Sequence, residues 1–256
     1  MKKIGFLMIA LLAMLALLAA GCGGSQEAPK KAETEKVLRV GTEPAFAPFE
    51  FQKEGSDEFT GFDMDLIRAI GTKLGYKVEI SSMGFDALIP ALNSGNIDVA
   101  IAGMNITDER KKVVVFSDPY YTSGLIVMVK KDDDTIKGFS DLEGKRIAVQ
   151  IGTTGANKAG EVKNAKVTAF NDNTAAAMEL KNGGADAVIN DSPVLKYYLQ
   201  QGGSADAKVV GAVMNSEDYG IAVKTENMIN YIKHGLVKKR NNIRITLGCA
   251  RPFLVI

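Results

Sequence analysis

The residues best suited to chemistry lie between residues 102 and 110, where a predicted strand gives way to a polar segment. Residues 97–101 form a short apolar run that is typical of a buried strand. Gly103 then lets the backbone approach a ligand closely, and Thr107 is suited to cap a short helix that carries Arg110. A guanidinium beside free backbone N–H groups would bind a small carboxylate. The alternative is a surface arginine in a charged turn, which would contribute little.

A second acid follows a second predicted strand. The chain continues from that strand into Asn190 and Asp191, and Ser192 before Pro193 predicts a helix start with Ser192 as its cap. On this local pattern alone, Asp191 is interpreted as the Asx cap of the helix.

The two segments follow similar stretches of chain. Residues 91–101 and residues 179–189 each contain a helix end, a glycine stop and a strand whose second residue is aspartate, Asp98 or Asp186. This repetition predicts two lobes built alike, each presenting a strand end and a helix start to a shared cleft. Open α/β sheets bind ligands at such edges.

The surrounding pattern predicts the elements that position these residues. Helices alternate with short strands, which indicates an α/β protein. The proline-rich loop at residues 42–51 places Phe46 either in the core or against a ligand. A helix is predicted from Gly61 with Asp63 near its N-cap, and a second one begins at Phe85. Residues 152–155 form a glycine-rich turn, but no Gly-Lys-Ser/Thr follows, which argues against a phosphate loop.

Composition excludes several classes of function. The chain has 256 residues, 46% of them hydrophobic and 24% charged, and its net charge of +1 gives no electrostatic case for nucleic acid. His234 is the only histidine, which removes histidine-based triads and makes most zinc sites unfavourable. No metal or cofactor is predicted. If Cys22 is acylated, only Cys249 remains, so no disulfide framework is expected.

The N-terminal pattern predicts export. A basic start and an apolar run make residues 1–21 a signal peptide. The run ends at Gly21 and Cys22 and resembles a bacterial lipobox, which predicts cleavage before Cys22 and acylation of its thiol. Residues 22–36 are polar and unpatterned, which predicts a flexible tether. The alternative is an uncleaved anchor helix with an incidental cysteine.

Residues 102–121 resemble the cleft segment of family-3 solute-binding proteins, which deliver polar amino acids to ABC importers. Gly103, Asn105, the run Ile-Thr-Asp-Glu-Arg ending at Arg110, and Phe-Ser-Asp-Pro-Tyr-Tyr ending at Tyr121 carry the resemblance, which extends over about residues 37–223. It implies a type II periplasmic-binding-protein (Venus flytrap) fold with two α/β lobes and two hinge strands. Lobe 1 would comprise residues 37–119 and 220–256, lobe 2 residues 125–214, and the hinge residues 120–124 and 215–219. Residues 241–256 depart from the family pattern.

The resemblance also implies a binding site. Arg110 matches the partner of the ligand α-carboxylate, with backbone N–H groups near Asn105 and Thr154. Asp191 matches the acceptor of the α-ammonium group, together with the Gly103 carbonyl and the Asn105 side chain. The remaining matches are two aromatics that sandwich the ligand side chain, a threonine of the glycine-rich turn, and a distal set that varies with the ligand: Phe46 and Phe85, Thr153, and Glu43, Gln150 and Asn190.

The implied function is capture of a polar amino acid by a monomeric, lipid-anchored extracytoplasmic receptor that delivers it to an ABC permease. The polar distal pocket favours glutamine, because aliphatic ligands would leave buried polar groups unpaired. Glu43 keeps a basic ligand (arginine, lysine or histidine) open. A rival from another class is an extracytoplasmic dehydratase on the same fold, for which Glu43 is the available acid.

Overall fold

The computed structural model describes residues 35–224. The predictions for the signal peptide, for Cys22 and for the chain beyond Lys224 therefore lie outside the described residues. The described part contains six α-helices: α1 (Phe62–Leu74), α2 (Leu88–Ser94), α3 (Asp108–Lys111), α4 (Thr154–Gly160), α5 (Asn173–Asn182) and α6 (Ser192–Gln200). Short 3₁₀ turns cover Phe85–Ala87, Phe139–Leu142 and Gly203–Ala205.

The same residues contain thirteen strands. These are β1 (Lys36–Thr42), β2 (Ala45–Phe46), β3 (Glu50–Gln52), β4 (Phe59–Thr60), β5 (Tyr76–Ser82), β6 (Val99–Ala100), β7 (Val115–Phe116), β8 (Tyr121–Lys130), β9 (Arg146–Gln150), β10 (Lys166–Phe170), β11 (Ala187–Asp191), β12 (Ala207–Tyr219) and β13 (Ala222–Val223). One five-stranded sheet has the order β5-β1-β6-β13-β7 and another the order β10-β9-β11-β8-β12. Strands β2, β3 and β4 form a small separate sheet.

The predicted two-lobed α/β fold is confirmed. We call the part of the chain around the first five-stranded sheet lobe 1, to which the small sheet is attached, and the part around the second sheet lobe 2. In each five-stranded sheet the first three strands of the order given above are parallel, and the last two are antiparallel to their neighbours. Each sheet is buried between apolar clusters on both faces, as mixed sheets covered by helices require.

Helix α1 shows how sequence and packing combine in lobe 1. Its apolar residues, with Met64, Ile67 and Ile70 fully or almost fully buried, pack against the first sheet. Gly75 ends the helix in a left-handed conformation that glycine adopts without strain. Asp63 lies near the N-cap, as predicted. The N-cap itself is Gly61, no side chain caps the helix, and Asp63 is buried.

Helix α6 also begins one residue earlier than the sequence pattern predicted. Asp191 occupies the N-cap position and Ser192 is the first helical residue, with Pro193 in the first turn. The Asp191 side chain makes no capping hydrogen bond. Its carboxylate is therefore not used as the Asx cap that was the alternative to a binding role.

An equivalent arginine–aspartate ion pair joins two neighbouring strands at one corner of each five-stranded sheet. In lobe 1 the Asp98 carboxylate accepts hydrogen bonds from the backbone N–H of Arg39 at 2.9 Å and from its guanidinium at 2.6 Å. In lobe 2 Asp186 accepts the equivalent bonds from Arg146, the backbone one at 2.9 Å. These are the two aspartates of the repeated sequence pattern. The repetition thus reflects one local structure, an aspartate that ties a strand start to the neighbouring strand.

Two strands run from lobe 2 towards lobe 1. Strands β8 and β12 pair along most of their length, and Tyr121 pairs with Tyr219 where they reach lobe 1. At Gly124 the two backbones approach so closely that a Cβ atom would lie 2.3 Å from the Asn215 carbonyl oxygen. Only glycine fits there. The location of the hinge at residues 120–124 and 215–219 stays a prediction.

Candidate functional site

A small enclosed cavity of about 10 Å³ lies between the lobes. Eight of the eleven predicted binding residues line it, together with Ala102: Glu43, Phe46, Phe85, Gly103, Asn105, Gln150, Thr153 and Asp191. The structure therefore brings residues from both lobes to one point. Arg110, Thr154 and Asn190 do not line the cavity, and the first two lie at its margin through their contacts with Asn105.

Arg110 is positioned by helix α3. Thr107 caps this helix as predicted, its hydroxyl accepting a hydrogen bond from the Arg110 backbone N–H at 3.2 Å. The guanidinium donates to the Asn105 carbonyl at 2.8 Å and to the Gly152 carbonyl of lobe 2 at 3.0 Å. It also lies 5.1 Å above the Phe85 ring, in a cation–π contact. Burial lowers the pKa of Arg110 to about 10, so the group remains a cation at neutral pH.

Asp191 faces the cavity from lobe 2. Its Oδ1 accepts a hydrogen bond from the Ser123 hydroxyl at 2.7 Å, and 4% of the residue is exposed. Burial raises the pKa of Asp191 to about 6, against the effect of its hydrogen bonds. A buried carboxylate without a cation in hydrogen-bond contact is suited to accept a ligand ammonium group, which would restore its ionised form.

Gly103 and Phe46 lie in contact on the lobe 1 side of the cavity. Gly103 has a φ angle of 51°, and a Cβ atom there would lie 2.6 Å from Cε1 of Phe46. Glycine is therefore required on two counts, conformation and space. Phe46 in turn packs on Phe49 and Tyr219, with ring centres 6.2 and 6.4 Å apart. These ring contacts position Phe46 at the cavity.

The cavity lining includes an acid and an amide from different lobes. The Gln150 amide donates to Glu43 Oε2 at 3.2 Å and to the Asn171 carbonyl at 3.3 Å. Burial raises the pKa of Glu43 to about 7, and the nearby Asp172 charge acts in the same direction. No lysine or arginine of the described residues forms an ion pair with Glu43.

Three predicted residues have structural roles in lobe 2. The Asn190 side chain bonds to Asn173 and accepts the Asp191 backbone N–H, so it is used within the lobe, and its role in the distal pocket stays a prediction. Thr153 caps helix α4 by accepting from the Ala156 N–H. The Thr154 hydroxyl donates to Glu217 at 2.6 Å.

Sequence reasoning missed Asp63, Ser123 and Glu217. Asp63 had a signal, because it precedes Ile67 by four residues and Ile70 by seven and so shares their buried helix face. No sequence pattern indicated Ser123 and Glu217. They lie on β8 and β12, the two strands that run between the lobes, and only the pairing of these strands places them side by side.

The family is indicated by sequence similarity over most of the chain. Residues 38–243 match the model of "Bacterial extracellular solute-binding proteins, family 3". The chain belongs to this family. The family-3 chain is 39% identical to a probable histidine-binding protein of Campylobacter jejuni over 204 residues, which cover 78% of each protein.

Two solved structures resemble this family-3 protein closely. The arginine-bound form of truncated ArgBP from T. maritima is 43% identical, with a TM-score of 0.75, covering 79% of this chain and 95% of that one. An ancestral arginine-binding protein bound to glutamine is 45% identical, with a TM-score of 0.75, covering 81% and 93%. Both support the two-lobed fold described above.

The described part of this family-3 protein contains neither a metal cluster nor a membrane span. Between residues 35 and 224, no three histidine, cysteine or acidic side chains are arranged to hold a metal ion. No helix in this range is long and apolar enough to cross a membrane.

Proposed function

We propose that this protein is the amino acid receptor of an ABC importer and that its ligand is a cationic amino acid, L-arginine in the first place. The observation that carries the preference for a cation is Glu43, a buried acid at the distal end of the cavity without a basic partner among the described residues. A buried charge is costly unless it is paired. A guanidinium or ammonium group of the ligand would be that pair.

The other end of the cavity suits the α-groups that all amino acids share. Arg110 and Asp191 provide a cation and an anion on opposite lobes. A zwitterion between them would contact both lobes at once, and such a ligand favours the closed arrangement because it binds that state better. Rotation of the lobes about the crossing strands would open and close the cleft.

Glutamine, which the sequence alone favoured, becomes the second candidate. A carboxamide can donate to Glu43 and accept from Gln150, but it leaves the Glu43 charge uncompensated. The relatives support ranking a cationic ligand above glutamine. ArgBP from T. maritima is described as arginine-bound, and the Campylobacter jejuni protein as a probable histidine-binding protein. The glutamine-bound ancestral protein keeps glutamine a competing ligand in such a site. Glutamate is disfavoured because Glu43 would repel it.

A thermal-shift screen of the twenty amino acids is expected to give its largest shift with arginine. Ligand at about one hundred times Kd adds roughly 2.7 kcal/mol to the free energy of unfolding. For a domain of this size each kcal/mol raises Tm by about 2 to 4 °C, so the shift should be several degrees. Glutamate serves as the negative control. A shift with glutamine and none with arginine, lysine or histidine would assign the site to neutral ligands.

The dehydratase alternative depends on the same acid. A carboxyl group with a pKa of about 7 in a closed cavity has the properties of a general acid or base. We nevertheless assign a binding function, because Arg110, Asp191 and Glu43 are all accounted for by one cationic amino acid. Incubation with prephenate or arogenate tests the alternative: an aromatic product that disappears in the Glu43→Gln variant would establish catalysis.

We also propose that the protein is tethered to the membrane through acylated Cys22. Cys22→Ser is expected to leave the protein unprocessed or to release it from the membrane fraction. A serine hydroxyl cannot form the thioether through which the lipid is attached. Cys249→Ser is the matched control and should fractionate like the wild type. Mass spectrometry of the N-terminal peptide is decisive, since an unmodified Cys22 in a chain that still carries Met1 would contradict the anchor.

A further inference from the structure

Two acids, Glu50 and Asp63, lie buried together behind the cavity. Both residues have 0% exposure, and the Asp63 backbone N–H donates to the carbonyl of Phe49, the neighbour of Glu50, at 2.9 Å. Glu50 is the first residue of β3, and Asp63 lies in the first turn of α1. Neither contacts the cavity directly, and the binding function described above does not use either carboxyl group.

Asp63 is connected to the cavity through the backbone of Gly103. Its Oδ2 accepts a hydrogen bond from the Gly103 N–H at 2.9 Å and another from the Tyr120 hydroxyl at 2.7 Å. Glu50 is connected through the neighbouring strand, because its backbone pairs with Phe46, which packs against Gly103. The Asp63 carboxylate is therefore bonded to Gly103 directly, and Glu50 lies on the strand that pairs with Phe46.

The unpartnered oxygens of the two carboxyl groups point to a proton between them. Both oxygens of Glu50 and Oδ1 of Asp63 receive no hydrogen bond from any donor of the described residues. Two ionised carboxylates cannot bond to each other, because neither carries a hydrogen. Asp63 already accepts two hydrogen bonds, which favour its ionised form. The proton therefore belongs on Glu50, which donates it to Asp63 Oδ1.

The surroundings favour this arrangement. Burial and the neighbouring Asp63 charge raise the pKa of Glu50 well above its ordinary value, while burial raises the pKa of Asp63 only to about 6. The titratable groups that face Glu50 are acids and phenols: Asp63, Glu43, Asp191, Tyr120 and Tyr219. None of them supplies a positive charge that would let both acids ionise.

We propose that Glu50 and Asp63 share one buried proton and act as a positioning pair, which fixes Gly103 for the ammonium group of the ligand. The positioning role rests on the proposed amino acid-binding function. The shared proton does not, because it is a property of the ligand-free protein. The two parts can therefore be tested separately.

The proton is tested by comparing the pH dependence of unfolding in wild type and Glu50→Gln, without ligand. Glutamine keeps a donor for Asp63 but cannot titrate. The folded wild type holds the Glu50 proton, whereas the unfolded chain releases it above the ordinary pKa near 4.5. The contribution of Glu50 to the free energy of unfolding is therefore full below pH 4.5 and is lost as the pH rises towards the pKa of Glu50 in the folded protein. The unfolding constant of the wild type should rise about tenfold per pH unit relative to the variant, from about pH 5.5 upward.

Urea denaturation between pH 5.5 and 8 measures the ratio of the unfolding constant of the wild type to that of Glu50→Gln. Glu54→Gln is the control. Glu54 is exposed in a turn near Glu50, so Glu54→Gln removes a carboxyl group outside the buried pair. A ratio of wild type to Glu50→Gln that is independent of pH would overturn the shared proton.

The positioning role is tested by titrating L-arginine into Glu50→Met and Glu50→Gln at pH 7. Methionine is similar in length but donates no hydrogen bond, so Asp63 loses a partner and affinity should fall about tenfold. Glutamine should restore affinity to within about threefold of wild type, which loss of packing alone would not explain. Equal affinity of the two variants would overturn the positioning role. Failure of the wild type to bind any amino acid would instead contradict the proposed function and leave the unfolding test valid.

Discussion

Arg110→Ala and Asp191→Ala should each weaken amino acid binding by two to three orders of magnitude. Each residue is expected to pair with one charged α-group of the ligand inside a cleft that excludes water. Removing one partner of such a pair leaves the other charge buried and unpaired, which costs about 3–5 kcal/mol. Each 1.4 kcal/mol corresponds to a tenfold change in Kd. Calorimetry with L-arginine measures the loss directly.

The matched controls are Arg146→Ala and Asp186→Ala. These residues form an ion pair at the corner of the lobe 2 sheet, where the side chains are 47% and 28% exposed. They carry the same charges but lie outside the cavity lining, so binding should change little. Circular dichroism spectra and unfolding midpoints show whether the Arg110 and Asp191 variants remain folded. Near-wild-type affinity in either folded variant would contradict the site assignment.

Glu43→Gln should separate cationic from neutral ligands. If Glu43 pairs with the ligand side chain, its replacement costs at least about 2 kcal/mol with arginine, or roughly thirtyfold in Kd. Glutamine carries no side-chain charge, so its affinity should change by less than about threefold. Calorimetry at pH 8, where Glu43 is ionised in the free protein, compares the two ligands. Glu54→Gln is the control for loss of one negative charge at a distance.

The same variant should alter the pH dependence of arginine binding. Glu43 has a pKa of about 7 in the free protein, and a bound cation favours its ionised form and so lowers that pKa. Arginine binding should therefore strengthen between about pH 6.5 and 8 and release protons near pH 7. Glu43→Gln should lose most of both effects. A wild type whose arginine affinity is flat over this range would rule out contact between Glu43 and the ligand charge.

Local patterns in the sequence were sufficient to predict much of the site. The run from Gly103 to Arg110 combines a conformational requirement, a cap and a cation within eight residues, and all three appear in the structure as hydrogen bonds or backbone angles. The repeated aspartates also predicted two similar lobes. Their reason, an arginine on the neighbouring strand, depends on strand pairing and became visible only in the sheets.

Side-chain contacts between residues on different helices and strands could not be predicted from the sequence. Asp63 was predicted near the N-cap of its helix, but its hydrogen bond from the Gly103 backbone N–H depends on a residue 40 positions away. Asn190 stands next to Asp191 in sequence, yet its side chain bonds within lobe 2 because adjacent residues of a strand point to opposite faces. The contact between Gln150 and Glu43 joins residues 107 positions apart.

The two arginine–aspartate pairs have a consequence for how such a receptor can change over evolutionary time. Each pair closes within its own sheet, Arg39 with Asp98 and Arg146 with Asp186, so neither lobe needs the other to complete this corner. Recombination between related genes at the two crossing strands would leave both corners intact. Only the contacts across the cleft, such as that between Gln150 and Glu43, would have to be re-established. Exchange of a whole lobe would therefore preserve each sheet while changing one side of the cleft.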